Sequence, residues 1–165
     1  MKKGLILGRF QPFHYGHLNL IKNIVEMSIE PLICVGSAQY SHTPENPFSI
    51  DERKEMIEAA MKDIESKYYL FGIPDINNYD LYVSHLEKFV PKFDCVYSGN
   101  PLVQRLFKNA GYQVNKLDLI NREVWEGSAI RQEMKEGGDW ELAVPNQIAE
   151  IIHRINGTER LKNLS

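Results

Sequence analysis

Residues 8–17 read GRFQPFHYGH, a set of side chains suited to holding a polyanion. Gly8 ends an apolar run, Arg9 supplies a fixed cation, and His14 and His17 flank Gly16 where a helical pattern begins. A helix start offers unpaired N–H groups and the positive end of the dipole, and both favour phosphate. On these residues alone other readings stay open, because HxxH can be a pair of packed or surface histidines, or part of a metal site needing a third ligand. A second stretch, EGSAIR at 126–131, puts Ser128 and Arg131 one helical turn apart. By itself that spacing reads as an ordinary capped helix with a solvated arginine. No GxxxxGK[ST], no GxGxxG after the first apolar run and no GxSxG occurs, which removes the main support for a P-loop enzyme, a dinucleotide-dependent dehydrogenase or a serine hydrolase.

These residues need elements to place them, and the hydrophobic periodicity supplies short apolar runs alternating with amphipathic segments, the pattern of a mostly parallel sheet covered by helices. Strands are expected at residues 3–8, 32–36, 68–73, 94–97 and 113–120. Between them, Leu18, Ile21 and Val25 mark one helix, Ile57, Ala60 and Met61 a second, residues 81–90 a third, and Val103, Leu106 and Phe107 a fourth. Ser49 and Glu52 have the spacing of a capping box for the second helix. From about residue 128 the pattern is helical: Ser128 is expected to cap a short helix that Gly137 stops, and Asp139 to act as a fresh cap. Pro145 is expected to open a last helix, closed by Gly157. The expectation is one α/β domain over residues 1–165, a doubly wound five-stranded sheet with helices on both faces.

Composition agrees: 165 residues, 43% hydrophobic, 25% charged and 10% aromatic describe a folded globular chain. The longest stretch free of Asp, Glu, Lys and Arg, residues 31–44, is too short and too polar to span a membrane, and a cytoplasmic protein is expected. Cys34 and Cys95 lie in apolar runs without metal spacing and read as buried thiols. A net charge of −3 argues against a surface that coats nucleic acid, so any polyanion must be held by a local cluster.

GRFQPFHYGH resembles the HxGH signature of the nucleotidyltransferase superfamily, and its GRFQPFH form resembles the archaeal-type nicotinamide-nucleotide adenylyltransferases. GSAQYSH at 36–42, NPFS at 46–49, YSGNPLVQRLF at 97–107 and GDWELAVP at 138–145 resemble the same family in the same order, so the similarity covers nearly the whole chain. It implies a Rossmann-like fold and adenylyl transfer from ATP, with Mg²⁺, to nicotinamide mononucleotide (NMN), giving NAD and pyrophosphate. By that resemblance His14, His17 and Arg131 are catalytic. Gly8, Arg9 and Phe10, then Gly99 and Asn100, and Ser128 join them in holding ATP. Ser37, Gln39, Asp75, Ile76 and Tyr82 hold NMN, and no protein side chains are assigned to the metal.

The family's second signature, ISxTxxR, appears as EGSAIR, with Ser128 keeping the hydroxyl of the usual Thr. Tyr82 stands where the family has a Trp stacked on nicotinamide, and Glu45 where relatives often carry a basic residue. For Gly99 and Asn100 a plain strand-to-helix turn is the competing reading. Trp125, Trp140 and His153 read as packing or surface positions, His42 as a loop group able to face the site, and His85 as a neighbour of the nicotinamide helix. The resemblance also implies a homo-oligomer, a hexamer among the options, for which Leu161 and Leu164 offer apolar contacts. Two rivals differ in their signatures: other adenylyl- or cytidylyltransferases usually read GTFDP or GTFDL in the first loop, and a catalytically silent NAD-sensing module could lose His17 or Arg131.

Overall fold

The computed structural model describes residues 1–116 and 126–164. The last four residues of the expected fifth strand, and Trp125, lie outside the described residues. Elements run β1 (Lys2–Gly8), α1 (Tyr15–Glu26), β2 (Ile29–Val35), α2 (Ile50–Met61), β3 (Tyr69–Gly72), α3 (Tyr79–Glu87), β4 (Cys95–Ser98), α4 (Pro101–Asn109), β5 (Gln113–Lys116), α5 (Gly127–Glu136), a 3₁₀ turn (Trp140–Ala143), α6 (Asn146–Arg154) and α7 (Gly157–Leu164). No helix among the described residues is long and apolar enough to cross a membrane.

The chain forms two compact units, each assembled from three stretches. The first unit (Met1–Gly8, Leu20–Ala38, Ser66–Leu119) holds all five strands, in the order β3-β2-β1-β4-β5, and every pair is parallel. Parallel neighbours need crossover connections, and those from β3 to β4 and from β4 to β5 run through α3 and α4. The α/β reading of the sequence is what the structure shows. One sheet face is built by period-2 alternation: Leu5 and Leu7 of β1 pair with Leu32 and Cys34 of β2. Val83 and Leu86 of α3 and Phe107 of α4 share that core.

Pro31 lies inside β2, not ahead of it, and is buried. The reason is local: β3 pairs with β2 only from Leu32 to Val35, so Pro31 sits where β2 has a single partner strand and a missing N–H is tolerated.

In the second unit (Arg9–Asn19, Gln39–Glu65, Ile120–Ser165) the capping box at Ser49 is present, with Glu52 N–H donating to Ser49 Oγ at 3.2 Å and Ser49 N–H to Glu52 Oε1 at 2.8 Å. Three expected helix ends differ. Glu126 takes the N-cap of α5 without a side-chain bond, and Ser128 is its second residue. Asp139 precedes the 3₁₀ turn but makes no side-chain cap bond. Gly157 starts α7 instead of closing α6, because the left-handed residue at that junction is Asn156 (φ 54°). The glycine serves close approach: a Cβ there would lie 2.9 Å from Ile152 Cγ2 and 3.0 Å from Phe48 Cε1. The segment expected to be free for a neighbour is therefore tied down, with Leu161 fully buried and Arg160 donating to both oxygens of Glu52 and to Pro47 O.

Candidate active site

His14 and His17 are both tied to backbone N–H groups at the start of α1. His14 is the residue ahead of α1 and its Nδ1 accepts the N–H of Gly16 at 3.1 Å, while Nδ1 of His17, third in the helix, accepts the N–H of His14 at 3.1 Å. A backbone N–H only donates, so both Nδ1 atoms carry lone pairs and both protons sit on Nε2. The rings stack with centroids 3.7 Å apart. His17 also lies against Phe10 at 4.4 Å and Phe13 at 5.4 Å, both fully buried phenyl groups. Burial pushes His14 down to about 4. His17 is held well below the usual imidazole range by burial and then by His14 beside it. At neutral pH the pair is uncharged and offers two Nε2–H donors. The helix N–H groups expected to meet an anion act partly through these rings, since that of Gly16 is committed to His14.

The loop carrying Arg9 and Phe10 is fixed by residues that motif reading left out. Gln11 is buried and its amide bonds Phe48 in both senses, Nε2 donating to Phe48 O at 3.0 Å and Oε1 accepting Phe48 N–H at 2.9 Å. Arg53 of α2 is completely buried, and its guanidinium donates to Arg9 O at 3.0 Å, Tyr40 O at 3.3 Å and Ser49 O at 3.2 Å. A signal for Arg53 was available, because it falls on the helical stripe of Met56, Ile57 and Ala60, where a cation must find acceptors. Phe10 is held at φ 55°, a left-handed conformation costly for a bulky residue and characteristic of functional loops. The Arg9 side chain itself is exposed.

Arg131 donates from Nη1 to Gln11 O at 2.8 Å, and burial, then the Arg9 cation, lower its affinity for its proton, while the carboxylates of Glu45 and Glu126 oppose that shift. Glycine at 127 leaves room for it: a Cβ there would lie 2.9 Å from Nη1. Ser128 is exposed on the same first turn. Arg9, His14, His17 and Arg131 thus gather in the second unit, with the acidic Glu45 in Arg131's field.

The first unit holds the other group of candidates. Gly8 ends β1 and its carbonyl accepts Gly36 N–H at 2.8 Å. Ser37, buried at φ 51°, donates from Oγ to Asp75 Oδ2 at 2.7 Å. Tyr82 is half-buried against the sheet core, and its phenol is pushed up by burial first and then by Asp75's carboxylate. Ile76 is half-buried and Gln39, at the start of the second unit's middle stretch, is exposed. Gly99 follows β4 and is half-buried; Asn100 caps α4, its Oδ1 accepting Leu102 N–H at 2.9 Å and Val103 N–H at 3.4 Å. The turn reading of Asn100 is therefore real, whatever else its exposed amide does. His42 is exposed beside Ser41, and His153 is exposed and paired with Glu141 at 3.3 Å, next to buried Trp140. Cys34 and Cys95 are buried free thiols.

In the first unit, Ser37 follows the carboxyl end of β2, Asp75 that of β3 and Asn100 that of β4. In parallel α/β sheets that end is where ligands bind. Among the described residues no three His, Cys, Asp or Glu side chains gather to hold a metal ion. The donor set is cationic and imidazole-rich, which suits a divalent ion carried in by phosphates.

Residues 5–135 match the Cytidylyltransferase-like family, a class of nucleotidyltransferases. Along its whole length the chain is 47% identical to the nicotinamide-nucleotide adenylyltransferase of Thermoplasma acidophilum, covering 99% of this chain and 92% of that one. With the enzyme of the same name from Archaeoglobus fulgidus it shares 44%, over 99% and 97% of the two chains. The chain belongs to the nicotinamide-nucleotide adenylyltransferases of this family. A bifunctional NMN adenylyltransferase/ADP ribose pyrophosphatase from Francisella tularensis, solved with AMP and a manganese ion, shares the fold at a TM-score of 0.70 and 19% identity; this chain spans about half of its length.

Proposed function

We propose that this chain joins ATP and NMN into NAD and pyrophosphate through the residues described above. The NMN 5′-phosphate oxygen attacks the α-phosphorus of ATP, a P–O bond to the new acceptor forms, and the bond to the β-phosphate oxygen breaks as pyrophosphate leaves. No protein base is needed, because the attacking phosphate is already an oxyanion. Transfer then depends on position and on charge stabilisation. His14 and His17 donate from Nε2 to phosphate oxygens, Arg9 and Arg131 neutralise their charge, and Ser128 adds a hydroxyl on the first turn of α5. A divalent ion such as Mg²⁺, bound with ATP, would supply further charge neutralisation beside Arg9 and Arg131. Gly8, Phe10, Gly99 and Asn100 form the ATP side, and Ser37, Gln39, Asp75, Ile76 and Tyr82 the NMN side. The observation that carries this reading is the pair of backbone bonds to the Nδ1 atoms of His14 and His17, which fixes two neutral donors at a helix start.

The test is pyrophosphate release from ATP and Mg²⁺ across a panel of acceptors: NMN, its deamidated acid form, pantetheine phosphate and glycerol phosphate. NAD formation from NMN is expected. Faster nucleotidylation of pantetheine phosphate or glycerol phosphate would overturn the substrate reading. The same proposal places the enzyme in the cytoplasm, as one domain that assembles as a homo-oligomer; a concentration-independent monomer mass in light scattering would remove the last of these.

The tyrosine at position 82 has its own consequence. Its electron-rich face attracts the cationic nicotinamide ring by about 0.5 to 2 kcal/mol. Tyr82→Ala is expected to weaken NMN several-fold and leave ATP nearly unchanged, and Tyr82→Trp to hold or improve NMN affinity. Equal loss of both ligands together with a large drop in melting temperature would assign the ring to the core alone.

A further inference from the structure

The turn that follows β3 is anchored residue by residue. Ile73 N–H donates to Val35 O at 2.8 Å and Ile73 O accepts Ala38 N–H at 3.1 Å, so β2 and its following loop hold the first residue. Asp75 is bonded by Ser37 Oγ at 2.7 Å. Pro74, between them, has no N–H to offer. Its carbonyl is met by His85 Nε2 at 2.8 Å, from α3. A carbonyl only accepts, so His85 carries its proton on Nε2. The edge-on contact with Phe89, centroids 5.0 Å apart, helps set the ring's orientation. His85 stands three residues after Tyr82, on the same side of the helix, with ring centroids 6.4 Å apart.

We infer that His85 is a positioning residue for the nicotinamide end of the substrate: one side of α3 presents the stacking ring and, through His85, fixes the Pro74–Asp75–Ile76 turn at a set distance from it. The inference rests on the NMN reading above. With Ile73 and Asp75 anchored from β2 and its following loop, the Pro74 peptide between them is held by one hydrogen bond from a side chain the chemistry does not otherwise use, and that bond sets how Asp75 and Ile76 meet the ribose and carboxamide.

The experiment titrates the full-length protein with NMN and with ATP separately, for wild type, His85→Phe, His85→Gln and His85→Asn, and adds steady-state kinetics and melting curves. Phe fills the space without a donor, the Gln amide reaches the position of Nε2, and the Asn amide falls short. The Phe and Asn variants are expected to raise Kd and KM for NMN about 3- to 10-fold, as for loss of one hydrogen bond. ATP affinity and kcat should stay within twofold, and Gln should restore NMN binding. If the Phe variant does not fold, the comparison of Gln with Asn decides alone. Equal weakening of both ligands, unchanged NMN affinity, or no difference between Gln and Asn overturns the inference. Wild-type protein that does not bind NMN at all would instead overturn the substrate reading.

Discussion

Replacing His17 by Ala is expected to lower kcat about 10²-fold or more, the usual cost of deleting one donor aimed at charge that grows in a transition state. The geometry gives the reason: Nδ1 is occupied by the His14 N–H, the ring is packed on Phe10 and Phe13, and Nε2–H is the only polar group it has left to offer. A change confined to KM would mean that His17 contributes only uniform binding. The pH dependence separates a neutral donor from an imidazolium. With both histidines held below their ordinary range, kcat/KM should stay flat from pH 7 to 9. A requirement for cationic imidazole would show as a tenfold fall per pH unit across that window. Stability carries the same signature with a definite sign. The unfolded chain binds these protons near pH 6.5 and the folded chain only near about 4 for His14 and well below 6.5 for His17, so their contribution is complete above 6.5 and is lost as pH falls below it. Acid titration of the melting temperature, compared between wild type and His14→Ala, reads this directly.

Removing the Arg53 guanidinium should produce the largest loss of stability among these substitutions. Arg53→Met keeps the buried aliphatic stem but leaves Arg9 O and Tyr40 O without this donor. Each part-buried carbonyl so abandoned costs about 1 to 3 kcal/mol. For a chain of this size that total lowers the melting temperature by about 5 to 15 °C. Arg53→Lys keeps the charge, but an ammonium cannot span carbonyls contributed by residues 9 and 40 in the planar fork of a guanidinium, so an intermediate loss is expected. A melting temperature within about 2 °C of wild type for the Met variant would show that the loops hold themselves.

The division between what could be read from the chain and what could not follows the range of the interactions. The parallel sheet was legible because the runs around Leu5, Leu32 and Val96 are short, apolar and separated by helical periodicity, and that pattern needs no partner to be recognised. The capping box at Ser49 and Glu52, and the stop at Gly137 (φ 73°), were legible for the same reason, being set within four residues. So was the HxxH spacing, whose two histidines take their backbone bonds within one turn.

What tertiary structure alone decided involves residues distant in sequence. Gln11 finds Phe48, Arg53 finds Arg9, Arg131 finds Gln11 and Arg160 finds Glu52, across separations of 37 to 120 residues. Local pattern cannot choose such partners, since any exposed acceptor would satisfy the same donor. Even Gly157 was misread for this reason: its type suggested a left-handed cap, whereas the packing of Ile152 and Phe48 against its bare Cα is what requires a glycine there. The protonation of the two histidines belongs with these, because their burial against Phe10 and Phe13, a property of the folded loop, makes them neutral donors.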